Sequence, residues 1–203
     1  MNLQNALSSL SEKREFFYSE ADFQFALAWE IQLLYRDASI QLEYPWGSDS
    51  GKTAYIDILV ELGGQSIPIE LKYRKDALYL DGRLVLPKQG AKDLGCYDCI
   101  KDLCRLERYV KLEKACTVGY ALWLTNDLSY TGPPRANAGY SAFSIHEGAE
   151  KHGLMQWGGS SGTGTRSKRE EPLLLHKKHL VHWQDYHNFG VKNGLFKYAL
   201  IEV

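Results

Sequence analysis

The residues whose types and spacing can do chemistry lie in two aliphatic runs: Asp57 in TAYIDILVEL, and Glu70 with Lys72 in QSIPIELKYR. Gly63-Gly64 separates the runs and suits a two-residue hairpin turn in which both positions take positive φ. With Leu62 facing Gln65, that register carries Asp57 opposite Glu70, and Lys72 shares the face of Glu70. The other face then collects Ile56, Ile58, Val60 and Leu62 with Ile67, Ile69 and Leu71. A one-residue slip would set these aliphatics among the charges, so the pattern itself selects the register.

Two carboxylates and an ammonium group brought together in this way can bind a hard cation, Mg²⁺ or Mn²⁺, which keeps several waters and takes phosphate oxygens. Asp57 and Glu70 would be ligands, and the backbone carbonyl of Leu71 lies between them as a further one. Such an ion polarises a phosphodiester and lowers the pKa of a bound water. Lys72 could orient that water, deprotonate it, or stabilise the developing negative charge. The plainer alternative is a solvated, salt-bridged strand face.

The surrounding elements must hold this hairpin. Residues 1–15 read as a loose or short helical lead. From Ser19, a good N-cap, Phe23, Leu27, Ile31, Leu34 and Tyr35 recur at helical steps, with Glu20 and Asp22 in the first turn. A short strand over about 39–44 and the polar turn WGSDSGK lead into the hairpin. Asp81-Gly82 signals a second hairpin between ALYL and RLVL. Residues from about Gln89 to Leu112 read as one helix, and TVGYALWLTN as a strand buried on both faces. Short strands are expected at FSIHEG, LMQW and FKYALIEV, with GGSSGTGTRSKREEP as a loop. This order describes one α/β domain over residues 1–203 with a mixed central sheet flanked by helices.

Asp57 in YID, followed by Glu70 and Lys72 in IELK, resembles the motif of the PD-(D/E)XK nuclease superfamily, the restriction-endonuclease-like fold. Ile56 stands where that motif usually has Pro. The resemblance covers about residues 19–126 in the order αβββαβ, leaving 127–203 as a C-terminal extension with additional strands. It implies an acidic residue on the first helix, for which SEADFQ offers Glu20, with Gln24 one turn on. Glu30 is the competitor, and reads as a residue that faces solvent. It also implies a polar contribution from the helix after the hairpin, where the candidates are Lys88, Gln89 and Asp93, with Tyr97 one turn further. These have an equally good reading as ordinary N-terminal helix polarity.

Other features weigh less. Cys96-x-x-Cys99, Cys104 and Cys116 suggest a metal or iron–sulfur centre, but Cys96, Cys99, Ile100, Leu103 and Val110 fall on one helical stripe, which favours a core role. GGSSGTGTRSK lacks the ending of a phosphate-binding loop, and Arg166, Lys168 and Arg169 read as a solvated loop. His176, His179, His182 and His187 have no ligand spacing and read as structural. Lys101, Arg105, Arg108 and Lys111 form a basic helical face that either meets phosphate or is a plain charged surface.

The chain has 203 residues, 44% hydrophobic and 24% charged, with a net charge of −1, so it lacks the strong basicity of a protein that coats nucleic acid. No run approaches a membrane span, and the N-terminus has no secretion pattern, so a cytoplasmic protein with reduced thiols and no membrane partner is expected. The expected activity is Mg²⁺- or Mn²⁺-dependent phosphodiester hydrolysis, on DNA in preference to RNA, with a homodimer in keeping with cutting two strands. The competing expectation is a catalytically silent module that binds nucleic acid or a partner through the same fold.

Overall fold

A computed structural model describes residues 1–49 and 52–203. The tip of the expected WGSDSGK turn, Ser50-Gly51, lies outside the described residues. Two helices open the chain, α1 (Leu3–Lys13) and α2 (Glu20–Leu34). Asn2 caps α1 by accepting from Asn5 N, and Ser19 caps α2 by accepting from Asp22 N. Each thus satisfies one backbone N–H that its helix cannot. Arg14 holds Asp22 through two bonds of 2.9 and 2.8 Å, which fixes the two helices against each other.

Strands β1 (Ser39–Asp49), β2 (Lys52–Leu62) and β3 (Gln65–Arg74) form an antiparallel meander. The hairpin turn has the expected conformation: Gly63 and Gly64 sit at φ +59° and +78°, and Leu62 pairs with Gln65. A small hairpin follows, β4 (Leu78–Leu80) and β5 (Arg83–Leu86), turning at Asp81-Gly82. Helix α3 (Lys92–Leu112) starts three residues later than its sequence suggests. Gln89 is engaged with the end of β3 instead, exchanging bonds with the backbone of Lys75, and Gly90 is a poor helix former.

Strand β6 (Tyr120–Thr125) is buried at all six positions and pairs parallel with β3. Beyond it come β7 (Glu150–Met155), the single-turn helix α4 (Thr163–Arg166), and β8 (Leu173–Leu180), β9 (Trp183–Asn188) and β10 (Leu195–Glu202). The central sheet runs β1-β2-β3-β6-β10-β9, antiparallel except at β3–β6, and is therefore mixed as expected. Strands β7 and β8 form a separate pair.

The two faces of the sheet carry different cores. One packs Ile58, Val60, Ile69, Leu71, Leu122 and Leu124 under Leu7, Leu10, Phe23, Leu27 and Ile31 of α1 and α2. The other packs Ala121, Trp123, Ala199 and Ile201 under Cys96, Cys99, Ile100 and Leu103 of α3, so these two cysteines are core residues. This is an α/β fold with a mixed sheet between helices, and no described helix is long and apolar enough to cross a membrane.

Several expectations fail in the last third. FSIHEG forms a 3-10 turn and coil rather than a strand, because Phe143 and Ile145 are buried through α3 contacts and the Ile145 carbonyl accepts from the Trp183 indole. Strands β8 and β9 were not legible, since HKKH in the first and WQDYHN in the second carry few apolar residues. The loop expected over 158–172 contains α4, and Arg169 is docked on Asp98 through two bonds of 2.6 and 2.9 Å. Of the histidines, His179 is buried against Glu107 at 2.8 Å, and His182 pairs with Glu147 at 2.7 Å on the surface.

Candidate active site

The hairpin's polar face looks toward α3. Its ladder is regular from Leu62–Gln65 to Ile58–Ile69 and then ends. Asp57 is therefore not a plain cross-strand partner of Glu70. Its Oδ2 reaches past that position and accepts from Leu71 N at 2.6 Å. The neighbouring β1 is irregular at the same level, where Glu43 takes φ +50°, a conformation that a non-glycine residue seldom adopts without a local reason. Gln24 supplies that reason: its amide donates to both Glu43 Oε1 and the Asp57 carbonyl, at 2.8 and 2.6 Å. The break also reverses Ile56, which packs with Leu59, Tyr109 and Cys116 on the α3 side and not with Ile58 and Val60. The expectation that all the aliphatics share one face is corrected at this residue.

Glu70 is fully buried. Its Oε1 lies 2.6 Å from Arg105 Nη1, while its Oε2 is buried without a hydrogen-bond partner among the described residues. Arg105 also donates to the Tyr55 carbonyl at 2.9 Å and pairs with Asp102 at 3.0 Å, one helical turn before it. Lys72 Nζ lies 2.6 Å from Asp102 Oδ2, 2.8 Å from the Leu71 carbonyl and 3.8 Å from Glu20 Oε1. Glu20, in the first turn of α2, accepts from Tyr73 N at 2.7 Å. The structure thus brings Glu20, Gln24, Asp57, Glu70, Leu71, Lys72 and Arg105 together.

Four carboxylates, those of Glu20, Asp57, Glu70 and Asp102, meet the cationic heads of Lys72 and Arg105, leaving an excess of two negative charges when all are ionised. Burial pushes the Asp57 carboxyl up to about 6; Lys72 opposes the shift, while Asp102 and Glu20 add to it. Burial, then the charges of Asp102 and Asp57, raise Glu70 well above the usual carboxylate range against the pull of Arg105 and Lys72. Burial also works against the charge on Lys72, but Asp102, Asp57 and Glu20 outweigh it and hold the ammonium protonated. In this arrangement Lys72 is a cation, the form that suits orienting a water or stabilising developing negative charge.

Asp57 separates two recesses. One, of about 680 Å³, is bounded by Lys72, Asp102, Arg105, Lys101 and the 168–171 segment. The other, of about 200 Å³, lies between Glu20, Gln24, Glu43, Asp57 and Leu71. Among the described residues no three His, Cys, Asp or Glu side chains stand ready-made around a cation position. The donor chemistry nevertheless fits a hard divalent ion: two carboxylates and a carbonyl, with one carboxylate oxygen lacking a partner among the described residues.

Of the remaining candidates Tyr97 lines the larger recess and donates to the Glu171 carbonyl at 2.9 Å, and the others lie elsewhere. Lys88 pairs with Asp76 at 3.3 Å beside Asn193, Gln89 is spent on Lys75, and Asp93 accepts from its neighbour Leu94 N beside another recess. Glu30 does not face solvent: it is buried against Lys13 and Ser9. Asp102 was missed, although its spacing of three from Arg105 on a basic helical face was a signal that the two share a turn. No protein-family model matches the chain, and no curated protein matches it.

Proposed function

We propose that this chain is a metal-dependent nuclease with a restriction-endonuclease-like core, hydrolysing phosphodiester bonds in DNA in preference to RNA. The observation that carries the reading is Glu70: a fully buried carboxylate with one oxygen unpartnered among the described residues, in a cluster of four carboxylates and two cationic heads. Arg105 meets one oxygen of this carboxylate, and a divalent cation beside Asp57 could take up the other.

Asp57, Glu70 and the Leu71 carbonyl would hold Mg²⁺ or Mn²⁺, which when bound supplies Lewis-acid polarisation and a water of lowered pKa. Holding the ion there requires Lys72 to yield the Leu71 carbonyl. Lys72 has Asp102 to anchor it, so its ammonium stays at the site to orient the attacking water and stabilise charge developing on the phosphate. Arg105 offers a planar guanidinium that suits phosphate oxygens. Glu20 and Gln24 fix the backbone at Tyr73 and Asp57, so they set the geometry at either side of the Leu71 carbonyl. Lys101 and Lys168 line the larger recess, where they could meet a phosphate backbone, beside Glu170 and Glu171.

A second reading is a catalytically silent binding module of the same fold. It is favoured by the engagement of Glu70 with Arg105 and of the Leu71 carbonyl with Lys72, the chain's own cations standing on the two donors. Cleavage of single- and double-stranded DNA and RNA, assayed with and without Mg²⁺ or Mn²⁺, separates the two. Metal-dependent cutting lost in Glu70→Ala and Lys72→Ala supports the nuclease. Equal activity in parent and variants sinks it, and binding without cutting favours the silent module.

A further inference from the structure

Helix α2 has an unusual outer face. Its exposed positions are Ala21, Phe25, Trp29, Leu33 and Leu34, with no charged or polar residue among them. The polar residues of the helix are all engaged in hydrogen bonds: Glu20 with Tyr73 N, Asp22 with Arg14, Gln24 with Glu43 and Asp57, Glu30 with Lys13 and Ser9, and Gln32 with the carbonyls of Arg36 and Ala38. A surface helix ordinarily turns charge toward water, and a helix apolar on every side is ordinarily buried. Here one side is covered by the sheet and α1, and the other is bare.

We infer that this stripe is the interface with a second copy of the same chain, formed by two α2 helices packed antiparallel across a two-fold axis near Leu27. The residues fit that arrangement by size. An antiparallel pairing centred on Leu27 sets Ala21 against the partner copy's Leu33, small against large, and Phe25 against its Trp29, ring against ring. Phe25 and Trp29 already stack, with centroids 6.4 Å apart and planes 16° from parallel, so the two rings form one aromatic unit. A stripe without charge has nothing with which to select an acidic or basic partner, whereas it complements itself, as a two-fold interface must.

The area is also of the right order. Phe25 is 61% exposed, Trp29 58%, Leu33 50% and Leu34 47%. With large apolar side chains at about 150–250 Å² each, these amount to roughly 400 Å². That apolar area alone is about half of the roughly 800 Å² that each partner buries in a standard interface.

Sedimentation velocity on the full chain tests this, with Trp29→Glu and Phe25→Glu as variants whose fold is checked by circular dichroism. The parent is expected to sediment as a dimer at about 100 µM, with association weakened roughly 30-fold or more in either variant, the scale of a hot-spot loss. A monomeric parent, or a dimer that Trp29→Glu leaves intact, overturns the proposal. Pairing is read by a short bismaleimide: the double variant Ala21→Cys, Leu33→Cys should cross-link across the dimer. Ala21→Cys alone should not, since its two copies would lie about 18 Å apart along the helices. The reverse pattern overturns the antiparallel geometry. The parent, with its four cysteines, is the control.

Discussion

Arg105 Nη1 stands 2.6 Å from Glu70 Oε1, a guanidinium placed on a carboxylate that is itself wholly buried. Neither group is at its ease alone. Replacing Arg105 with Met should therefore destabilise the protein by about 3 kcal/mol, within the usual cost of breaking a buried ion pair from one side. Urea denaturation measures this. Adding Glu70→Gln to Arg105→Met should recover part of the loss, and strictly additive effects would show that the pair is not coupled.

Asp102 touches both cationic heads, Lys72 at 2.6 Å and Arg105 at 3.0 Å. On the nuclease reading, Asp102→Asn should lower kcat by about 10–100-fold, as loss of a supporting residue behind a metal site does. KM should change little if Asp102 only positions Lys72. An unchanged kcat would separate Asp102 from the chemistry.

The Asp57 carboxyl, raised by burial to about 6, couples the site to pH. A raised carboxyl pKa means the folded state holds its proton more tightly than the unfolded chain. Its contribution to stability is thus greatest in acid and declines as pH rises from about 4 toward 6. A divalent cation competes with that proton. Stabilisation by Mg²⁺ or Mn²⁺ in a thermal melt should then be small at pH 5 and larger at pH 8. An ion-induced shift independent of pH, or stronger in acid, would place binding away from Asp57.

The hairpin that carries Asp57 and Glu70 turns at two glycines with φ of +59° and +78°, and neither has another atom near the place a side chain would occupy. Any cost of substitution is therefore one of backbone conformation. Gly63→Ala and Gly64→Ala should each lose about 1–2 kcal/mol, the penalty of the left-handed region for an L-residue. Denaturant melts that show no loss would mean the turn relaxes to another type.

What could be read in the residues was what local rules determine. Ser19 and the Gly63-Gly64 turn set the start of α2 and the hairpin register, and the apolar run of β6 identified an interior strand. These depend on neighbours in sequence. The corrections came from residues whose surroundings are built by distant segments. Glu30 reads as exposed until α1 folds over it and brings Lys13. Ile56 reads as a partner of Ile58 until Gln24 and Glu43 break the ladder between them. Asp102 becomes part of the acidic cluster only because α3 lies across β3, and HKKH becomes β8 only because β7 offers it an edge.

The position of β6 in the sheet bears on how the chain is made. Its neighbours are β3, synthesised before it, and β10, which comes after the whole stretch from Asn126 to Gly194. Until residues 195–202 leave the ribosome, a strand of six interior residues has an unpaired edge. Pairings this far apart in sequence also form slowly. The nascent protein therefore passes through a stage in which a strand buried at every position in the finished fold can add to any other open edge, and slow translation of that stretch should lower the yield.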